Sequence, residues 1–209
     1  SPEHTWNVVL ISVESFSGDY LKRFGNKENI TPYLDSLIPH GLWFDQFYAS
    51  GTRTVRGLEA LSMGIPPTPG QSIVRRPDND DMYTMGSVLK TKGYDVHYIY
   101  GGNSFFDNMG KYFSNSGYTV LDQRDIPDSL VHLTTAWGCD DEAAFNYTLQ
   151  QCDKSFNSNK PFFNHIMTVS NHRPYMYPEG KIDISPTHQS IEGAVKYTDY
   201  AIHKFIKDA

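Results

Sequence analysis

Apolar residues in this chain follow two rhythms. Trp6-Asn7-Val8-Val9-Leu10-Ile11-Ser12-Val13 is a short, nearly continuous apolar run, the pattern of a strand buried on both faces of a parallel sheet. Residues 95–100 and 162–169 repeat that pattern, and residues 42–48 and 118–121 read as further strands. Between them the spacing lengthens to that of helices. Thr31-Pro32 predicts a helix to about residue 38, with threonine as N-cap and proline in the first turn. Further helices are predicted after Thr54, over 83–92, 105–113 and 140–152, and from about 189 to the end. Asp140-Asp141-Glu142 suits a helix N-terminus, where the dipole favours negative charge. Residues 65–81 carry Pro66, Pro67 and Pro69, and residues 170–188 carry Pro174, Pro178 and Pro186. Both stretches read as irregular surface crossings.

Strands alternating with helices predict an α/β fold, with a mostly parallel central sheet flanked by helices on both faces. At 209 residues the chain can bury one sizeable core, and no repeat or linker divides it. Aromatics at 14% and charged residues at 20% are a globular composition. The net charge of −6 argues against a nucleic-acid-binding surface. No apolar run reaches the ~18 residues of a membrane span, and no signal peptide is visible, so a membrane anchor would lie in a segment outside this sequence. Cys139 and Cys152, on a largely helical stretch, would stand roughly 20 Å apart, too far for a disulfide.

Parallel sheets bind ligands outside the carboxyl ends of their strands, and the chemically capable residues gather at those ends. Glu14 follows the first strand. Alone it reads as a surface glutamate; beside a second oxygen ligand it suits a divalent cation. Gly51-Thr52-Arg53-Thr54-Val55-Arg56-Gly57 follows the predicted 42–48 strand and precedes a helix. A hydroxyl there is an N-cap on the plainer reading. It becomes a nucleophile if a metal binds its oxygen and the helix dipole favours the alkoxide. Arg53 and Arg56 suit phosphate or sulfate oxygens, or simply a wet helix face. Ser170-Asn171-His172-Arg173-Pro174-Tyr175 follows the 162–169 strand and offers an imidazole. Gly101 to Asn108 follows another strand and reads as a turn, or as a wall of a substrate site.

Taken together, the segments 7–15, 51–57 and 170–175 resemble the sulfatase-like branch of the alkaline phosphatase superfamily. Within it the chain looks like the extracytoplasmic domain of lipoteichoic acid synthase-type phosphoglycerol transferases. The resemblance implies that Glu14 binds metal and that Thr54 is the metal-bound nucleophile carrying a covalent phosphoglycerol. It also implies that His172 contacts the substrate phosphate and that Arg53 is the basic residue before the nucleophile. The implied metal is Mn2+, with Mg2+ or Zn2+ possible. The implied substrate is a lipid or glycan phosphodiester, met outside the cytoplasm by a membrane-tethered protein. The family's substrate-binding tryptophan and arginine align with Phe106 and Asn108.

The family completes its metal site with an Asp-His pair on a later strand, and no such dipeptide occurs here. The expectation is therefore that residues 1–209 form the N-terminal portion of one catalytic domain, inert and poorly soluble alone. Two other functions stay open: a non-catalytic domain binding anionic head groups, and a sulfatase or phosphodiesterase. The sulfatase reading lacks a Cys/Ser-x-Pro-x-Arg motif at the nucleophile position.

Overall fold

The chain runs β1 (Val8–Ser12), α1 (Pro32–Leu37), α2 (Thr54–Met63), α3 (Met85–Thr91), β2 (Asp95–Tyr100), α4 (Met109–Asn115) and β3 (Thr119–Leu121). It continues through the two-residue strands β4 (Thr134–Thr135) and β5 (Gly138–Cys139), then α5 (Asp141–Asn157), β6 (Phe162–Met167) and α6 (Ile191–Asp208). This computed structural model describes residues 4–209; residues 1–3, the lead-in to the first predicted strand, lie outside the described residues. Four strands form one sheet in the order β1-β6-β2-β3. All its pairings are parallel, with Leu10 opposite His165 and Tyr98 opposite His165 on the other side. β4 and β5 form a separate antiparallel hairpin.

Strand alternation divides the core into two layers. Leu10, Val96, Tyr98, Tyr100, Phe163 and Met167 face α2, α3 and α4. Val9, Ile11, Ile99 and Ile166 face α5 and α6. The sheet thus has helices on both faces, as the pattern predicts. The central strand β6 is buried along its whole length. Within it, His165 meets Ser12 Oγ through Nε2 at 2.8 Å, while its Nδ1 has no hydrogen-bond partner. Burial pushes this imidazole down to about 3, so it is neutral at ordinary pH. No described helix is long and apolar enough to cross a membrane. Cys139 and Cys152 are free thiols.

Three expectations need correction. Residues 42–48 are not a strand: they form turns and irregular backbone. Their aromatic composition fits a pleated, half-buried surface, but no described strand pairs with them, and Leu42, Phe44, Phe47 and Tyr48 are exposed. β1 is not buried on both faces; it is the edge of the described sheet, partly accessible throughout. The predicted helix over 105–113 is interrupted, because Asp107 and Asn108 adopt left-handed backbone at φ 52° and 63°. α4 begins only at Met109.

Candidate active site

The carboxyl ends of β1, β6 and β2 point the same way, and the residues just beyond them converge. Glu14 lies two residues past β1, its amide donating to Thr168 Oγ1 at 3.0 Å across the end of β6. Thr54 is the first residue of α2, whose N-cap is Arg53. The Thr54 hydroxyl lies 3.0 Å from Oε1 and 2.9 Å from Oε2 of Glu14, inside the roughly 5 Å that shared ligation of one cation requires. The positive end of α2 therefore faces the Glu14 carboxylate.

That carboxylate is only 11% exposed. Besides Thr54 it accepts the Ser15 hydroxyl at 3.2 Å, and its nearest potential cation is His172 Nε2 at 3.8 Å from Oε1. No lysine or arginine pairs with it among the described residues. A largely buried carboxylate beside a hydroxyl, without a fixed cation, is a hard oxygen donor pair. Its chemistry fits a divalent metal ion.

The loop bearing His172 is held from below. Asp141 Oδ1 accepts the amides of Val169 and Ser170 at 2.7 and 3.1 Å, and Oδ2 accepts the Thr198 hydroxyl at 2.6 Å. Burial raises the pKa of Asp141 against the pull of those donors. Asn171 Oδ1 is 3.2 Å from Thr198 Oγ1, and its Nδ2 donates to the Glu14 carbonyl at 2.8 Å. Thr168, Asn171, Asp141 and Thr198 thus join α5 and α6 to both site loops. Sequence reasoning missed all four as supporting residues. Asn171 carried a signal by lying inside the 170–175 segment, and Asp141 stood out only as part of an acidic helix start.

Trp137 was missed as well. It sits with Ala136 at the turn of the β4–β5 hairpin, where Thr135 pairs with Gly138. Its indole stacks on His172 at 4.0 Å between ring centroids and 14° between planes. Phe106 meets Trp137 edge-on at 5.8 Å, which places that predicted residue at the margin of the site.

Other predicted residues lie apart. Arg53 is exposed beside Thr54 and makes no ion pair among the described residues. Arg56 turns away, pairing with Glu59 at 2.8 Å and donating to the carbonyls of Thr68 and Gly70. Asn108 donates to the carbonyl of Val74 at 3.0 Å, fastening the 65–81 crossing rather than facing Glu14. A second acidic group, His132 with Asp140 and Glu142, holds ligand atoms within 4.8 Å of one another. Asp140 is already saturated by the amides of His132, Leu133 and Ala143 and by Tyr197 OH. Glu142 lies 2.7 Å from Lys181 Nζ and 3.8 Å from Lys204 Nζ. Two ammonium groups there disfavour a dication.

Comparison with known proteins places the chain in a family. Lipoteichoic acid synthase 1 of Bacillus subtilis is 22% identical over 97% of this chain and 33% of its own length. Phosphoglycerol transferase I of Escherichia coli is 26% identical over 83% of this chain and 24% of its own. The chain therefore spans about a third or less of the curated relatives it matches. A crystal structure of a Vibrio parahaemolyticus protein in the alkaline phosphatase superfamily superposes with a TM-score of 0.92 at 35% identity, covering 99% of this chain and 51% of that one. With the Sulfatase family model matching residues 6–209, the chain belongs to the sulfatase family.

Proposed function

We propose that this chain contributes the nucleophile and part of the metal site of a phosphotransferase acting on a phosphodiester such as a phosphatidylglycerol head group. The observation that carries the reading is the Thr54 hydroxyl at the N-terminus of α2, 2.9 and 3.0 Å from the Glu14 carboxylate oxygens. Thr54 Oγ1 attacks phosphorus as its hydroxyl proton passes to Glu14, the bond to the leaving oxygen breaks, and that oxygen takes up the same proton and departs as the alcohol. The hydroxyl proton of Thr54 is directed at Glu14. A second alcohol or water then attacks the phosphothreonine; the P–Oγ1 bond breaks and Thr54 regains its proton.

Glu14 and Thr54 are the residues of this chain that would hold a divalent ion, Mn2+ by family resemblance. When bound, the ion supplies charge neutralisation and a lowered hydroxyl pKa. His172 borders the same space and is assigned to a phosphoryl oxygen; Arg53, exposed beside Thr54, is assigned to the approach of an anion. Relatives named as phosphoglycerol transferase and lipoteichoic acid synthase support a transferase, and family membership supports an enzyme rather than a binding module. We place the domain outside the cytoplasm, tethered to the membrane by a segment not in this sequence.

The test is to incubate the intact protein with Mn2+ and a labelled phosphatidylglycerol analogue, quench, and map modified peptides by mass spectrometry. A glycerophosphoryl group on Thr54, released by an alcohol acceptor, is the expected result. Tight analogue binding with no modified threonine and no released diacylglycerol would favour the head-group-binding reading instead.

A further inference from the structure

The His172 ring faces Glu14, yet no hydrogen bond among the described residues fixes it. Its Nε2 is 3.8 Å from Glu14 Oε1, and its backbone, not its ring, makes the hydrogen bonds of the loop. What constrains the ring plane is the Trp137 indole, parallel to within 14° at 4.0 Å. An imidazole on a free Cβ–Cγ bond samples a broad range of χ2 angles. An aromatic face against it removes that freedom.

Trp137 is itself held on three sides. Its indole N–H donates to the Arg173 carbonyl at 2.7 Å, which ties the hairpin to the His172 loop. Its amide donates to Thr135 Oγ1 at 3.1 Å. Gly138, at φ 135°, lets the hairpin press on the end of β2: a Cβ there would collide with the Gly101 carbonyl, and one at Gly102 would collide with the Trp137 carbonyl. Phe106 closes the remaining side edge-on. The glycines around β2 and β5 thus serve a packing purpose that ends on this indole.

We propose that Trp137 is the positioning residue for His172, its indole face setting the imidazole plane so that Nε2 faces the Glu14–Thr54 pair. Its catalytic consequence rests on the phosphotransferase reading; the orientation does not. The test therefore reads both. In the intact protein, the ring protons of His172 are assigned by NMR against His172→Gln, and Trp137→Leu and Trp137→Phe are compared with the parent.

Stacking should shift those protons upfield by the indole ring current. Trp137→Leu should lose the shift while melting cooperatively, and Trp137→Phe should keep most of it. With Mn2+ and the phosphatidylglycerol analogue, Trp137→Leu should lower kcat roughly 10- to 100-fold with little change in KM, the size expected when a reacting group is misplaced by about 1 Å. Trp137→Phe should restore most of kcat.

An unchanged His172 shift in Trp137→Leu would overturn the proposal. So would a rise in KM at unchanged kcat, which would make Trp137 a substrate contact. Should Trp137→Leu fail to fold, a Trp137→Phe protein that loses the shift would overturn it equally. Loss of the shift in Trp137→Leu, from a parent protein that shows it but has no transfer activity, would support the orientation and reject only the assigned reaction.

Discussion

Thr54 Oγ1 stands almost equidistant from the two carboxylate oxygens of Glu14, at 2.9 and 3.0 Å. One hydroxyl proton is thereby shared between both oxygens, and the hydroxyl oxygen is presented at the positive end of α2. The side chain of Thr54 does not cap that helix, because the N-cap position belongs to Arg53. The proposed nucleophile and the cap are thus separate residues.

Thr54→Ala is therefore expected to remove transfer while sparing the fold. Turnover should fall by roughly 10⁴-fold or more, as when other covalent nucleophiles are deleted, and stability should change by less than about 1 kcal/mol, since no cap is lost. Thr52→Ala, at an exposed position, should keep turnover within a few-fold. Steady-state kinetics beside thermal melts check this. Equal losses in the two variants would move the nucleophile elsewhere.

Arg53 and Arg56 should behave oppositely. Arg56 binds Glu59, whose side chain is fully buried, along with two carbonyls of the 65–81 crossing. Burial opposes ionisation of Glu59, but the Ser72 and Arg56 side chains and the Ile73 amide outweigh it, holding the carboxyl below its usual range. Arg56→Met strands that buried charge and should cost about 3 kcal/mol or more, with KM unchanged in the protein that folds. Arg53→Ala should leave the melting temperature alone and raise KM. Chemical denaturation and kinetics on both variants separate the roles.

The contrast between those arginines was missed in the chain, where both read alike as anion-binding or solvated, although Glu59 stands three residues after Arg56 and such pairs meet on a helix face. β2 was legible to the residue because its apolar run is bounded by Gly93 and Gly101. Residues 42–48 misled because strand propensity measures fit to a sheet surface, not the presence of a partner strand. The break at Asp107 and Asn108 carried no proline or glycine to announce it. Trp137, Thr168 and Thr198 are ordinary residues in their local sequence; only the packing of α6 and of the β4–β5 hairpin against the β6 loop gives them their places.

The buried His165 should make stability depend on pH. Its folded pKa is about 3, against about 6.5 in an unfolded chain. Between those values the unfolded state binds the proton and the folded state does not, so stability rises with pH. The contribution is full above about pH 6.5, falls by about 3 kcal/mol on acidification to pH 4, and is lost below about pH 3. Asp199, pushed up to about 6 mainly by burial, acts in the opposite sense between about pH 4 and 6. Comparing the parent with His165→Gln cancels that term. The variant should be less stable at pH 7, having lost its contacts with Tyr98 and Phe113, but its stability should fall less from pH 7 to 4. Urea denaturation across that range is the check, and parallel profiles would rule out His165 as the titrating group.

The surface around residues 42–48 should govern how a polypeptide of residues 1–209 behaves in solution. Leu42 is 92% exposed, Tyr48 80% and Phe47 77%, with Phe44 also open to solvent. Asp45 pairs with Arg23, so the segment carries little unpaired charge to keep copies apart. Burying a large apolar side chain gains about 1.5–3 kcal/mol, so association that covers several of them gains enough to offset much of the cost of bringing two chains together. β1 adds an open edge, pairing only with β6 among the described strands. The polypeptide should therefore self-associate in light scattering coupled to gel filtration. Leu42→Ser with Phe44→Ser and Phe47→Ser should raise the monomer fraction. It should leave the melting temperature nearly unchanged, because these side chains are mostly in water already. A parent polypeptide that stays monomeric at high concentration would show that this patch does not drive association. A triple variant that melts much earlier would show that the segment is packed into the fold.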